Sequence, residues 1–201
     1  MNYKIVRMLH VTTLVGDKHR SRLTSGTVEH HLFDDSDPDL RIRPAALEDA
    51  SSITRLSTQD LPLSEEALNA AQQIVHERLT IASGDDYFTI VAERKPTSQI
   101  VGWLAGGGCR GQELKGWGEL YALSSDQLAS GTEIDEALLA VALNALNVAQ
   151  FTGVTVLLER EDSIRIELFE DLGFIAEDGA LEELDQAEGP LIRYSLGFKE
   201  A

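Results

Sequence analysis

The segment Val154-Thr155-Val156-Leu157-Leu158 reads as a strand with apolar residues on both faces. Such a strand is a buried sheet strand and needs cover on each side. The sequence supplies that cover on either flank. Before it, Ile134, Leu138, Val141, Leu146 and Ala149 recur at helical spacing and predict an amphipathic helix over 134–150. After it, 163–172 predicts a second helix, stopped by Gly173. Helix, buried strand and helix in succession point to an α/β (α+β) fold with a mixed sheet and helices on both faces.

The other elements extend this order. Leu40-Arg41-Ile42-Arg43 alternates as a short strand ending at Pro44. Leu47-Glu48-Asp49-Ala50 opens a helix with Ile53 and Leu56 on one face. Ser64 followed by Glu65 and Glu66 is a helix start, and Leu68, Ala71, Val75 and Leu79 form that helix's stripe. Strands over 87–92 and 100–104 flank Lys95-Pro96-Thr97-Ser98 and read as a hairpin. Gly106-Gly107-Gly108 interrupts the end of the second strand. A strand over 118–123 precedes the long helix, and 174–176 and 191–198 are the last strands.

Charge divides the chain. Residues 1–31 hold Lys4, Arg7, Lys18, Arg20 and Arg22 against Asp17 and Glu29, a balance of +3. With a total of −17, the remainder carries −20. Asp34-Asp35-Ser36-Asp37-Pro38-Asp39 is a poor helix or strand and reads as a linker, so 1–38 is taken as an N-terminal arm and acidic linker and 39–201 as the folded domain. Met1–Val15 is read as an edge strand or hairpin and 16–31 as a loop. The arm is either a mobile or partly ordered terminus, or a segment docking on the acidic body or on a second subunit of a homodimer. So acidic a body disfavours nucleic acid and anionic lipid as partners. The single cysteine, Cys109, excludes an internal disulfide and a CxxC motif, and suits a reducing, cytoplasmic setting. No apolar run has membrane-span length, and Val11–Val15 is too short and too broken for a signal peptide.

Two stretches carry a resemblance. Glu119-Leu120-Tyr121-Ala122-Leu123-Ser124-Ser125-Asp126 through Ala137-Leu138-Leu139 has the spacing from a central strand through a phosphate loop into a helix. Leu168-Phe169-Glu170-Asp171-Leu172-Gly173-Phe174 is very similar to a "FYEKLGF" ending. On these, roughly residues 40–199 resemble the GNAT superfamily, the Gcn5-related N-acetyltransferases. The resemblance implies acetyl-CoA as cosubstrate, lying where the strands around 119–125 and 154–159 splay apart. It puts the pantetheine contacts on the backbone of Leu123 and Ser125, and Asp162 near that arm. It puts the diphosphate over Ser130-Gly131-Thr132-Glu133-Ile134-Asp135, where a helix N-terminus favours an anion. Here the sequence departs from the family: Ser130, Glu133 and Asp135 stand at the loop's three defined positions, two of which are usually small residues. Acids in a first turn also suit a helix with no ligand.

Acetyl transfer to an amine needs a base, an oxyanion donor and an acid for the leaving thiolate. The resemblance gives Glu119 as the base, directly or through water, and the backbone N–H of Leu123 as oxyanion donor. The family's tyrosine acid is replaced by Phe169, which cannot donate. Tyr121 shares a strand face with Glu119 and is the candidate donor, with Ser124 and Ser163 as weaker acids. Asp162 also reads as a helix cap. His30-His31 with Asp34 and Asp35 matches no standard metal spacing, and no metal is expected. Two functions stay open: an acetyltransferase acting on an amine, for which the acidity favours a cationic acceptor, and a degenerate GNAT-fold binding or oligomerisation module.

Overall fold

The computed structural model describes residues 39–81, 87–109, 111–126, 131–180 and 191–198. The arm and linker of 1–38, with His30-His31, and Ser130 lie outside the described residues. In chain order the strands are β1 (Leu40–Pro44), β2 (Tyr87–Arg94), β3 (Gln99–Gly108), β4 (Gly118–Ser125), β5 (Gly153–Glu159), β6 (Ile175–Ala180) and β7 (Leu191–Gly197). The helices are α1 (Ala50–Thr58), α2 (Glu65–Ile81), α3 (Gly131–Val148) and α4 (Ser163–Asp171). The strands form one mixed sheet in the order β1-β2-β3-β4-β5-β7-β6. The β4–β5 pair is parallel and the other neighbouring pairs are antiparallel.

Both faces are covered, as the doubly apolar strand requires. On one side Ile134, Leu138, Leu139, Ala142 and Leu146 of α3, with Leu168 and Phe169 of α4, pack on Val154, Val156, Ile90 and Leu120. On the other, Ala50, Ile53 and Leu56 of α1 and Val75 of α2 pack on Val91, Ile100, Trp103 and Ala105. Gly102 lets α3 come close, since a Cβ there would lie 2.6 Å from Ile134 Cγ2. Arg43 ties β1 to the α1 entry through Asp49 (2.7 and 2.9 Å) and to β2 through Glu93 (2.6 Å). Burial alone would raise the Asp49 carboxyl, but Arg43 and the Ala46 N–H hold it below its ordinary value.

Three expectations shift. Gly106-Gly107-Gly108 does not interrupt β3, which runs through Gly108 opposite Gly118. The glycines make room instead, for a Cβ on Gly106 would meet the Phe88 ring at 2.9 Å. Leu68 stands out of its helix's buried stripe at 40% exposure, leaving Ala71, Val75 and the half-buried Leu79 to seat α2. Helix α3 starts at Gly131, three residues before the first apolar residue of its pattern, because residues of a first turn can be helical without being core-facing. Among the described residues no helix is long and apolar enough to cross a membrane, and no group of three His, Cys, Asp or Glu gathers as a metal site.

Candidate active site

The parallel pair opens partway along. Gly118, Glu119 and Leu120 are in register with Val154, Thr155 and Val156, and there the ladder ends. Yet β4 continues to Ser125 and β5 to Glu159. Backbone groups of both strands beyond Leu120 and Val156 are thus released from pairing with each other. A bulge contributes: β3 pairs Ala105 with Ala122 but Gly106 with Leu120, so Tyr121 is the extra residue of β4.

At the paired end, Gly118 and Leu120 face α3, so alternation turns Glu119 to the opposite face. Glu119 is 7% exposed and its register partner Thr155 2%. The Thr155 side chain is hydrogen-bonded to the Cys109 sulfur. Burial pushes the Cys109 thiol up, and the Glu119 carboxylate adds to that against the Gly111 N–H, Thr155 and Arg193. Cys109 is thereby held as a thiol, not an activated thiolate. Arg193 of β7 reaches Glu113 at 3.6 Å and Glu177 at 3.8 Å. Tyr121 stacks on Tyr87 with ring centroids 5.4 Å apart and donates its hydroxyl proton to the Gly108 carbonyl. It lies near Glu119 along the strand, with its proton already engaged.

At the open end, the Leu123 carbonyl accepts from Arg165 Nη2 at 3.1 Å. The Ser125 carbonyl accepts from Gln59 Nε2 at 3.0 Å, and Ser124 Oγ donates to the Leu56 carbonyl at 3.0 Å, fixing this end to α1. The Ser125 hydroxyl donates to Asp135. Burial pushes the Asp135 carboxyl up to about 6, against that hydrogen bond and the Arg165 charge, while Asp162 adds to the rise. Its Oδ1 is buried with no hydrogen-bond partner among the described residues.

The residues singled out from sequence therefore separate. Glu119, Tyr121, Leu123 and Ser125 lie along β4 at the fork. Gly131 and Thr132 are the first residues of α3. Glu133 is exposed, whereas Ile134 at 3% is core, so only Asp135 of the three turns toward the cleft. Asp162 caps α4, its Oδ1 accepting from the Arg165 N–H at 3.1 Å. Phe169 is 1% exposed, edge-on to Phe174 at 5.0 Å, inside the core rather than on the cleft surface. Sequence reasoning missed Arg165 and Thr155. Thr155 was legible as the polar interruption of an apolar strand; Arg165 carried no signal, because its role depends on where α4 lies against β4.

No protein-family model matches the chain, and no curated protein matches it by sequence. Solved structures do match in shape. A GNAT-family putative acetyltransferase from Desulfovibrio desulfuricans aligns with TM-score 0.64 and 20% identity over 79% of this chain and 98% of its own. A putative acetyltransferase from Salmonella typhimurium, solved with acetyl-CoA, aligns with TM-score 0.62 and 16% identity over 81% and 96%. A dodecameric spermidine N-acetyltransferase from Vibrio cholerae aligns with TM-score 0.60 and 14% identity over 80% and 95%. The forked β4–β5 pair thus sits in a recognised frame: the chain has the GNAT fold.

Proposed function

We propose that this protein is an acetyl-CoA-dependent N-acetyltransferase, with Glu119 as its base. The observation that carries the reading is the fork itself, where the β4–β5 ladder stops at Leu120 and Val156 with buried Glu119 one residue before the opening. Freed strand amides suit the amide-rich pantetheine arm. The match to a fold solved with acetyl-CoA supports the same reading. The two ends fit this cosubstrate unequally: the strand end offers backbone groups, while the first turn of α3 offers Glu133 and Asp135 to a diphosphate.

In this reading the acceptor amine attacks the thioester carbonyl carbon. The N–C bond forms, the amine's proton passes to Glu119, directly or through water, and the C–S bond breaks as the thiolate leaves. The Leu123 N–H stabilises the oxyanion. Tyr121 is the donor nearest along the strand for the thiolate, on condition that it gives up its bond to Gly108. The acceptor is an amine of a small molecule or peptide. A net charge of −17 favours a cationic one, in line with the spermidine enzyme of the same fold. The reaction belongs in the cytoplasm. No nucleic acid, membrane or metal takes part.

A second reading is a non-catalytic GNAT-fold module, and one observation favours it: Arg165 and Asp135 both occupy the open end. Calorimetry with acetyl-CoA separates the two. Binding with saturable turnover of an amine supports the enzyme; no binding at millimolar cosubstrate leaves the module.

A further inference from the structure

Leu123 lies three residues past the last residue of β4 that pairs with β5, where a ligand running along the strand would find its hydrogen-bonding groups. The Leu123 carbonyl is nevertheless taken, by Arg165 Nη2 at 3.1 Å. Arg165 reaches it from the first turn of α4, on the far side of the fork. We infer that the Arg165 side chain is a built-in competitor for the acyl donor: it holds the strand carbonyl that a pantetheine amide would take, and the donor binds as Arg165 withdraws. This inference rests on the acyl-CoA reading and deepens it.

The geometry suits withdrawal. The backbone at Arg165 is fixed by the Asp162 cap, which uses the Arg165 N–H and not its guanidinium. Only the side chain has to move. It is 39% exposed, so solvent is within reach by rotation. Its second hold, on Asp162 Oδ2 at 3.5 Å, joins partners that are both about a third exposed, and such a pair is weak. A strap meant to stay closed would be bidentate on a buried partner, as half-buried Arg43 is on Asp49.

The test uses Arg165→Ala in the full chain with two donors, acetyl-CoA and S-acetylpantetheine, which has the amide arm but no diphosphate. Removing a competitor that holds one hydrogen bond should tighten S-acetylpantetheine about three- to tenfold. Arg165→Gln, too short to reach the carbonyl, should behave alike, and melting curves of both variants check the fold. Binding by a variant where the wild type shows none supports the inference most strongly. Unchanged or weaker S-acetylpantetheine binding, with acetyl-CoA bound by the wild type, overturns the competitor and leaves the acetyltransferase reading standing. A loss confined to acetyl-CoA makes Arg165 a phosphate ligand and also overturns it. Neither donor bound by any of the three proteins removes the acyl-CoA reading and the competitor together.

Discussion

At its paired end the β4–β5 ribbon buries Glu119 against Thr155, with the Cys109 thiol hydrogen-bonded beside them. At its open end, a few residues along the same strand, Arg165 holds a backbone carbonyl and Asp135 carries a buried carboxylate oxygen without a partner. At the first end Thr155 and the Cys109 thiol satisfy one another by a hydrogen bond beside the buried Glu119. The second keeps a desolvated acid where an anion would have to come. An unmade hydrogen bond on a buried group costs more than a made one returns, so the open end is the less stable of the two as it stands. The paired end favours the proposed transferase, and the open end favours the non-catalytic alternative.

The largest expected effect breaks this comparison at the paired end. If Glu119 takes the proton, Glu119→Gln should lower kcat about 10²- to 10⁴-fold while the dissociation constant for acetyl-CoA stays within about twofold. Steady-state kinetics beside calorimetry read both numbers. Unchanged kcat removes Glu119 as base and leaves the paired end a merely buried polar cluster.

The next effect is at Asp135. Its carboxyl is pushed up to about 6 in the fold, against an ordinary value of 3.8. Between those values the folded state binds more protons than the unfolded chain, so stability falls as pH rises from about 4 to about 6. Above that range the charged, buried carboxylate is a standing penalty of order 1–3 kcal/mol. Asp135→Asn should recover much of it at pH 7 and flatten the pH dependence in that window, as urea unfolding from pH 4 to 7 would show. It should also tighten acetyl-CoA if the diphosphate meets this turn of α3. A variant no more stable than the wild type at pH 7 would mean that the open end carries no penalty, and the contrast between the ends would vanish.

Phe169 tests whether a third element belongs to the cleft. Restoring the hydroxyl with Phe169→Tyr places an O–H in a site that is 1% exposed, at a cost of about 1–3 kcal/mol if it finds no acceptor. A lowered melting temperature with no gain in kcat is the expected result. A faster enzyme would show that the ring edge reaches the cleft after all.

These residues also mark how far the sequence could be read. The order of strands and helices was legible because each carries its own period: alternation in Leu40–Arg43, helical spacing from Ile134 to Ala149, a doubly apolar run at Val154–Leu158. The glycines of 106–108 were harder. A glycine required by a neighbour's ring reads the same as one that ends a strand, and the Phe88 ring that requires Gly106 comes from another strand. At the site, Glu119 was legible by its place in β4. The side chains of the open end were not, because Glu133 and Asp135 look alike in sequence while one is exposed and the other turned inward. That difference is set by the angle of α3 on the sheet, which depends on contacts such as Ile134 against Gly102.

The smallest effect separates architecture from electrostatics at the open end. Asp162 has two jobs: its Oδ1 caps α4 through the Arg165 N–H at 3.1 Å, and its Oδ2 faces the Arg165 guanidinium at 3.5 Å. Asp162→Ala removes both and should cost about 1 kcal/mol, the usual worth of an N-cap. Asp162→Asn keeps a capping oxygen and removes the charge, and should cost a few tenths of a kcal/mol at most, because a partly exposed ion pair contributes little. Thermal melts of the two variants side by side give the split. If Asn is as damaging as Ala, the charge matters more than the cap, and Arg165 is held at Leu123 more firmly than a single hydrogen bond and a solvent-screened ion pair allow. In that case the open end is a closed structural joint, and the paired end loses the neighbour that would make it a transferase.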